Sequence, residues 1–223
     1  MALVAISETW FRPGSRHNFP GYTVLREDRF DGRGGVALLI HDSVQFRHIP
    51  LLCPSPQFEA VAAWVTLGGM SFTIISAYRA PGSHGLDIYL RRWLQSVPKP
   101  FLLCCDLNAH HVGWGCPFND GAGILLMGVI DDFRLTFLND GAATYVSSPG
   151  CRNMALDLTI CSPGFPRVSS WMVLPDTWGS DHLPILTTLL PHTLDVSTGY
   201  PLQGYWNINR ADWPQYRHLY GIR

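Results

Sequence analysis

Glu8, Asp106, Asn108, Asp157, Asp181 and His182 stand inside or at the ends of short apolar runs. Glu8 ends ValAlaIleSerGlu, Asp106 and Asn108 follow PheLeuLeuCysCys, and Asp181-His182 precede LeuProIleLeu. Asp157 lies within LeuAspLeuThrIle, where strand alternation points it away from the side of Leu156 and Leu158. Carboxylates flanked by apolar residues cost free energy unless they are paired or hold a cation. In a layered sheet fold the strand ends converge on one rim, so these groups can share a site. The competing reading is local, because Asn108-Ala109-His110 and Ser180-Asp181-His182 each suit a turn. A turn explains any one of these positions; an ordered series along the chain favours a site.

Two other chemistries find less support. Ser180, Asp181 and His182 are adjacent, so they cannot fold onto one another as a nucleophilic triad, and no Gly-x-Ser-x-Gly elbow exists. Cys105, His110, His111 and Cys116 fit no standard zinc-ligand spacing. His17, His41, His110 and His111 read as packing or surface residues.

The elements that must position the polar groups are mostly short strands. Ala2–Ser7, Tyr22–Arg26 and Gly35–His41 read as strands, and Phe58–Leu67 and Met70–Tyr78 flank Gly68-Gly69 as a hairpin. Both faces of the second hairpin strand are largely apolar, as in a strand buried between layers. Leu86, Tyr89, Leu90, Trp93, Leu94 and Val97 recur at helical spacing up to Pro98. Phe101–Cys105 is a buried strand, and a helix over Ile124–Arg134 follows a Gly121–Gly123 turn. Strands at Leu156–Cys161, Val168–Leu174 and Leu183–Leu190 complete a domain spanning 1–192. A Pro/Ser/Thr/Gly linker and the start of a helix, capped by Asn209, occupy 193–223.

The 223 residues are 47% hydrophobic and 15% charged, a balance that supports a large core. The longest apolar runs are too short to span a bilayer, and Ala2–Ile6 lacks the basic flank of a secretory signal. Six irregularly spaced cysteines read as reduced, buried thiols of an intracellular protein. Net charge is −1, so there is no global basic field for nucleic acid, although fifteen of the sixteen cations are arginine.

In order and interval, several segments together resemble the endonuclease/exonuclease/phosphatase family, and within it the apurinic-endonuclease-like domain of non-LTR retrotransposons. They are IleSerGluThrTrp, GlyGlyValAlaLeuLeuIle, SerAlaTyrArgAlaProGly, CysCysAspLeuAsnAlaHisHis with TrpGly, LeuAspLeuThrIle and GlySerAspHisLeuProIle. The resemblance spans Ala2 to about Leu190, and TrpAsnIleAsnArgAlaAspTrp is similar to the segment leading toward a reverse transcriptase. It implies a four-layer α/β sandwich, two packed and mostly antiparallel sheets flanked by helices, with the site at one rim. It also implies Mg²⁺, or Mn²⁺, held by Glu8 with Asp181. Asp106 would orient or deprotonate the attacking water, steadied by Asn108. His182 paired with Asp157, and Tyr78, would bind the phosphate. DNA is the implied partner and the nucleus the implied place of action, with Trp114 a candidate DNA-facing side chain.

The family ordinarily opens with an Asn-bearing strand and a helix before the strand that ends in Glu. Here Met1 stands directly on the Glu8 strand, so the expectation is an N-terminally truncated member lacking that strand and helix. The usual GlyAspPheAsn is replaced by Cys105-Asp106-Leu107-Asn108. Three activities remain open at this point: a DNA-nicking enzyme of target-primed reverse transcription, a catalytically impaired relic or binding domain, and a phosphatase of the same fold.

Overall fold

The computed structural model describes residues 1–51, 58–147 and 152–190. The expected linker and helix over 193–223, with Cys53 and Cys151, lie outside the described residues. In chain order the elements are β1 (Leu3–Ser7), β2 (Tyr22–Glu27), β3 (Val36–His41), β4 (Gln45–Ile49), β5 (Phe58–Leu67) and β6 (Met70–Arg79). There follow α1 (Leu86–Ser96), β7 (Phe101–Asp106), a 3-10 turn at Val112–Trp114, α2 (Gly121–Asp132), β8 (Thr136–Phe137), β9 (Asp157–Cys161), β10 (Val168–Val173) and β11 (Ile185–Leu189).

Six strands form one sheet in the order β4-β5-β6-β7-β9-β8, antiparallel except for the β6–β7 pair. A three-stranded sheet β1-β3-β2 and the β10–β11 pair are separate. Along β5 and β6, side chains of opposite parity supply two cores. Ala62, Ile75, Ala77 and Leu103 meet Leu90, Trp93, Leu94, Leu126 and Ile130 of the helices. Val61, Ala63, Val65, Phe72 and Ile74 meet Val36, Leu38 and Ile40 of β3, with Leu3, Ala5 and Leu189 packed alongside. This explains why β6 reads as apolar on both faces: it separates two cores. Each fully buried Leu or Phe adds roughly 1.5–3 kcal/mol relative to exposure. The α/β sandwich expected from the sequence is therefore the fold observed. Among the described residues both helices cover the outer face of the six-stranded sheet.

Differences from the sequence reading have local causes. The second helix starts at Gly121, not Ile124, because the Asp120 carboxylate accepts the Gly123 N–H at 2.6 Å and draws the glycines into the first turn. Gly123 also has to be small, since a Cβ there would stand 1.9 Å from the His110 carbonyl oxygen. That helix stops at Asp132 because Arg134 adopts a left-handed backbone, φ 54°. β4 was not anticipated: four of its five residues are exposed, so GlnPheArgHisIle carries no inward alternation. β8 has only two residues, too few for any periodicity.

Candidate active site at the sheet rim

Register places four polar residues in one row across the large sheet. Glu59 is the partner of Tyr78, Tyr78 of Asp106, and Asp106 of Asp157. Directly paired residues point to the same face, here the face carrying Val61, Phe72 and Leu102 beneath the smaller sheets. The row lies where β6 and β7 end and β9 begins. β1 is laid over β6 by Ser76 Oγ, which donates to the Ile6 carbonyl at 3.2 Å. This brings Glu8 to the row, where its carboxylate acts on the Tyr78 hydroxyl. Glu8 is exposed, takes a left-handed φ of 52°, and accepts the Trp10 indole N–H at 3.1 Å.

His182 enters from the segment before β11. Its Nδ1 lies 2.7 Å from Asp157 Oδ2, and its ring meets Tyr145 edge-on at 5.1 Å. Thr144 fixes this junction: its buried hydroxyl accepts the N–H groups of Leu156 and Asp157 at 3.0 and 2.9 Å, and its carbonyl accepts that of Leu183 at 2.6 Å. Asn139 holds β9 from the other side, donating to the Asp157 carbonyl at 2.8 Å and accepting the Thr159 N–H at 3.0 Å. The Asp181 carboxylate is exposed, and the Asp181 carbonyl accepts the Val146 N–H at 2.8 Å.

Asp106 is only 2% exposed, and its Oδ1 accepts the Asn108 N–H at 3.0 Å. Burial, reinforced by the neighbouring Asp157, pushes its pKa up to about 7. Burial lowers that of His182, but the hydrogen bond and charge of Asp157, with Asp106 and Asp181 behind it, prevail and raise it to about 9. Burial, and then the Glu8 carboxylate near it, raise the Tyr78 phenol, which stays neutral. Asn108 holds a left-handed φ of 45° and donates from Nδ2 to the Arg79 carbonyl at 2.9 Å. Arg79 returns the contact, donating to the carbonyls of Leu107 and Asn108 at 2.9 and 3.3 Å and to that of Ser83. A cleft of about 300 Å³ opens beside Asn108, walled by Arg79, His84, His110 and Asp120.

The ligand atoms of Asp106, Asp157 and His182 lie within 4.8 Å of one another, close enough to hold a metal ion. We read His182 and Asp157 as a hydrogen-bonded pair, joined at 2.7 Å, with Asp106 buried beside them. Glu8 and Asp181 are exposed, and their charges act on Asp106 and on His182 respectively.

Trp114 corrects an expectation. It is 1% exposed, donates to the Ala109 carbonyl at 3.2 Å and packs on Phe137, so it belongs to the core and not to a DNA-facing rim. His111 is buried against it, and His110 is bound to Asp120 at 2.9 Å. Cys105 and Cys116 direct their thiols to the carbonyls of Leu158 and Ala155, away from any shared ligand set, and Cys105 fits into the helix-side core. The four described cysteines are free. No helix among the described residues is long and apolar enough to cross a membrane.

Sequence reasoning missed Glu59, Asn139, Thr144 and Arg79. Glu59 had a signal, since it shares strand parity with Val61, Ala63 and Val65, an inward series that a carboxylate interrupts. The other three act through backbone atoms of distant segments, which no local pattern marks.

In fold, the chain is similar to the endonuclease domain of TRAS1, a telomere-specific non-LTR retrotransposon. The match has a TM-score of 0.71 at 23% identity and covers 85% of this chain and 86% of that one. It is also similar to the catalytic domain of Xenopus laevis APE2, with a TM-score of 0.61, 13% identity and coverage of 84% and 83%. A third similar structure is D. rerio TDP2 complexed with single strand DNA product, with a TM-score of 0.54, 14% identity and coverage of 82% and 84%. No curated protein matches the sequence significantly. Residues 72–186, just over half of the chain, match the family model described as endonuclease-reverse transcriptase. That segment carries Tyr78, Asp106, Asn108, Asp157, Asp181 and His182, and the chain belongs to the endonuclease-reverse transcriptase family.

Proposed function

We propose that this chain is a metal-dependent endonuclease that nicks DNA, serving target-primed reverse transcription by a non-LTR retrotransposon in the nucleus. The observation that carries the reading is the row Tyr78, Asp106, Asp157, with His182 locked to Asp157 at 2.7 Å and Glu8 brought against Tyr78. It joins an acceptor for a proton, a cationic donor for phosphate oxygens and a carboxylate open to solvent.

The donor set suits a hard divalent cation. Glu8 and Asp181 offer exposed oxygen ligands, and the crowding that raises Asp106 marks a place where added positive charge is favoured. Glu8 with Asp181 would hold Mg²⁺, or Mn²⁺, which neutralises phosphate charge and supports the leaving oxygen. Asp106, oriented by the Asn108 N–H, takes the proton of the attacking water as its oxygen adds to phosphorus and the opposite P–O bond breaks. His182, kept protonated by Asp157, donates to the phosphoryl oxygens as charge develops. Tyr78 contacts the same phosphate, and the cleft beside Asn108 offers the strand a path past the site. A reverse transcriptase joined in a longer polyprotein would extend the nicked strand.

The test is nicking of supercoiled plasmid by the purified chain in Mg²⁺ and in EDTA, with Asp181→Ala and His182→Ala alongside. Mg²⁺-dependent nicking lost in both variants supports the reading. A folded chain that leaves the plasmid intact in Mg²⁺ and in Mn²⁺ refutes it.

A further inference from the structure

Glu59 has no part in the chemistry above, yet it is a carboxylate buried to 3% exposure at the end of the catalytic row. Its Oε1 accepts from Arg29 Nη1 at 3.4 Å. Its Oε2 is buried without a hydrogen-bond partner. Burying a carboxylate, and leaving one of its oxygens unmatched, is a costly way to fill space. The neighbours on that strand face, Val61, Ala63 and Val65, fill theirs with apolar groups.

Two physical routes run from Glu59 to Glu8. The first passes through the Gly34–Gly35 turn, whose carbonyls accept the N–H groups of Trp10 at 2.9 Å and Thr9 at 3.3 Å, the two residues after Glu8. Gly34 is hemmed in at φ 84°: a Cβ there would stand 3.0 Å from Tyr78 Cε1, 3.1 Å from Arg29 Cδ and 3.3 Å from Glu59 Oε2. The turn, Arg29, Tyr78 and Glu59 therefore form one packed unit. The second route is Tyr78 itself, the strand partner of Glu59, whose hydroxyl the Glu8 carboxylate acts on.

We propose that Glu59 is a positioning residue that sets the Glu8 carboxylate, gripping the Gly34–Gly35 turn and Arg29 on one side and backing Tyr78 on the other. The inference takes the metal-ligand role of Glu8 from the proposed function, but the coupling of Glu59 to Glu8 is separate from it. In Glu59→Gln the amide keeps the shape and one acceptor, and turns N–H groups toward Arg29 or the turn. The turn and Tyr78 then relax, and Glu8 with them.

The experiment uses the full ¹⁵N-labelled chain and the Trp10 indole N–H resonance, which reports on Glu8 through the 3.1 Å bond to its carboxylate and is assigned with Trp10→Phe. In Glu59→Gln that resonance shifts or broadens without metal. The Mg²⁺ concentration for half-maximal nicking rises about 10- to 100-fold, as for other groups that orient a metal ligand from behind, while the maximal rate at saturating Mg²⁺ is retained. Arg29→Gln, on the half-buried outer side, moves both readouts in the same direction by a smaller factor, and decides the matter if Glu59→Gln does not fold. An unmoved Trp10 resonance overturns the inference, and so does an unchanged Mg²⁺ requirement in a chain that nicks. A drop in melting temperature alone would mean that Glu59 only packs the core. If the wild-type chain nicks at no Mg²⁺ concentration, the nuclease reading fails, and the Trp10 resonance still decides whether Glu59 sets Glu8.

Discussion

Asp157→Asn removes the charge that holds His182 protonated and leaves the backbone bonds to Asn139 and Thr144 in place. With His182 raised to about 9, about 97% of it is protonated near pH 7.5 by ordinary titration arithmetic. Without Asp157 its hydrogen bond and charge are gone while burial, the largest single influence, remains, so the pKa falls back toward the ordinary 6.5. The protonated fraction then falls toward about 9%, a loss of up to about tenfold in nicking from charge alone. The wild-type profile should rise as Asp106 loses its proton near 7 and fall as His182 loses its own near 9, the limbs belonging to the coupled group. In the variant both limbs move to lower pH, because Asp106 also loses a like-charged neighbour. Plasmid nicking from pH 5.5 to 9.5 measures the limbs, and the His182 Cε1 resonance follows the ring without catalysis. A His182 that still titrates near 9 in Asp157→Asn would refute the reasoning.

Other consequences follow from the same contacts. Folding stability from the Asp157–His182 pair should be complete below the unfolded-state value of 6.5 and lost as pH rises through about 9, because the folded pKa is raised. Urea unfolding should therefore separate wild type from Asp157→Asn at pH 6 and bring them together at pH 9.5. Thr144→Val leaves the buried N–H groups of Leu156 and Asp157 unpaired, and should cost about 2–4 kcal/mol and roughly 5–15 °C in melting temperature. Trp114→Leu should lower stability by roughly 2–4 kcal/mol while leaving DNA affinity in EDTA unchanged, since the ring lies in the core. A fall in affinity with stability intact would restore Trp114 to the rim.

What was legible in the sequence is what short-range chemistry writes there. Strand and helix periods marked β1, β3, β5, β6, β7, β9 and α1, because burying one or two faces demands apolar residues at fixed spacing. The polar groups at strand ends stood out against those runs, and Asp106, Asp157 and His182 do converge. The extent of α2 escaped because its start depends on the Asp120 cap and on the approach of the His110 carbonyl to Gly123. Trp114 was misplaced because a tryptophan just after two histidines reads alike in a core and at a surface.

Only the tertiary structure decided which partners those groups have. The row Glu59, Tyr78, Asp106, Asp157 exists because three strand registers align, and register is a property of the assembled sheet. Thr144 and Asn139 work by meeting the backbone of segments far along the chain. The raised pKa values of Asp106 and His182 come from burial and neighbouring charge, which arise when the layers close. The sequence alone determined which chemical groups were available and near which strand ends they stood. Packing decided how they meet and which of them hold a proton.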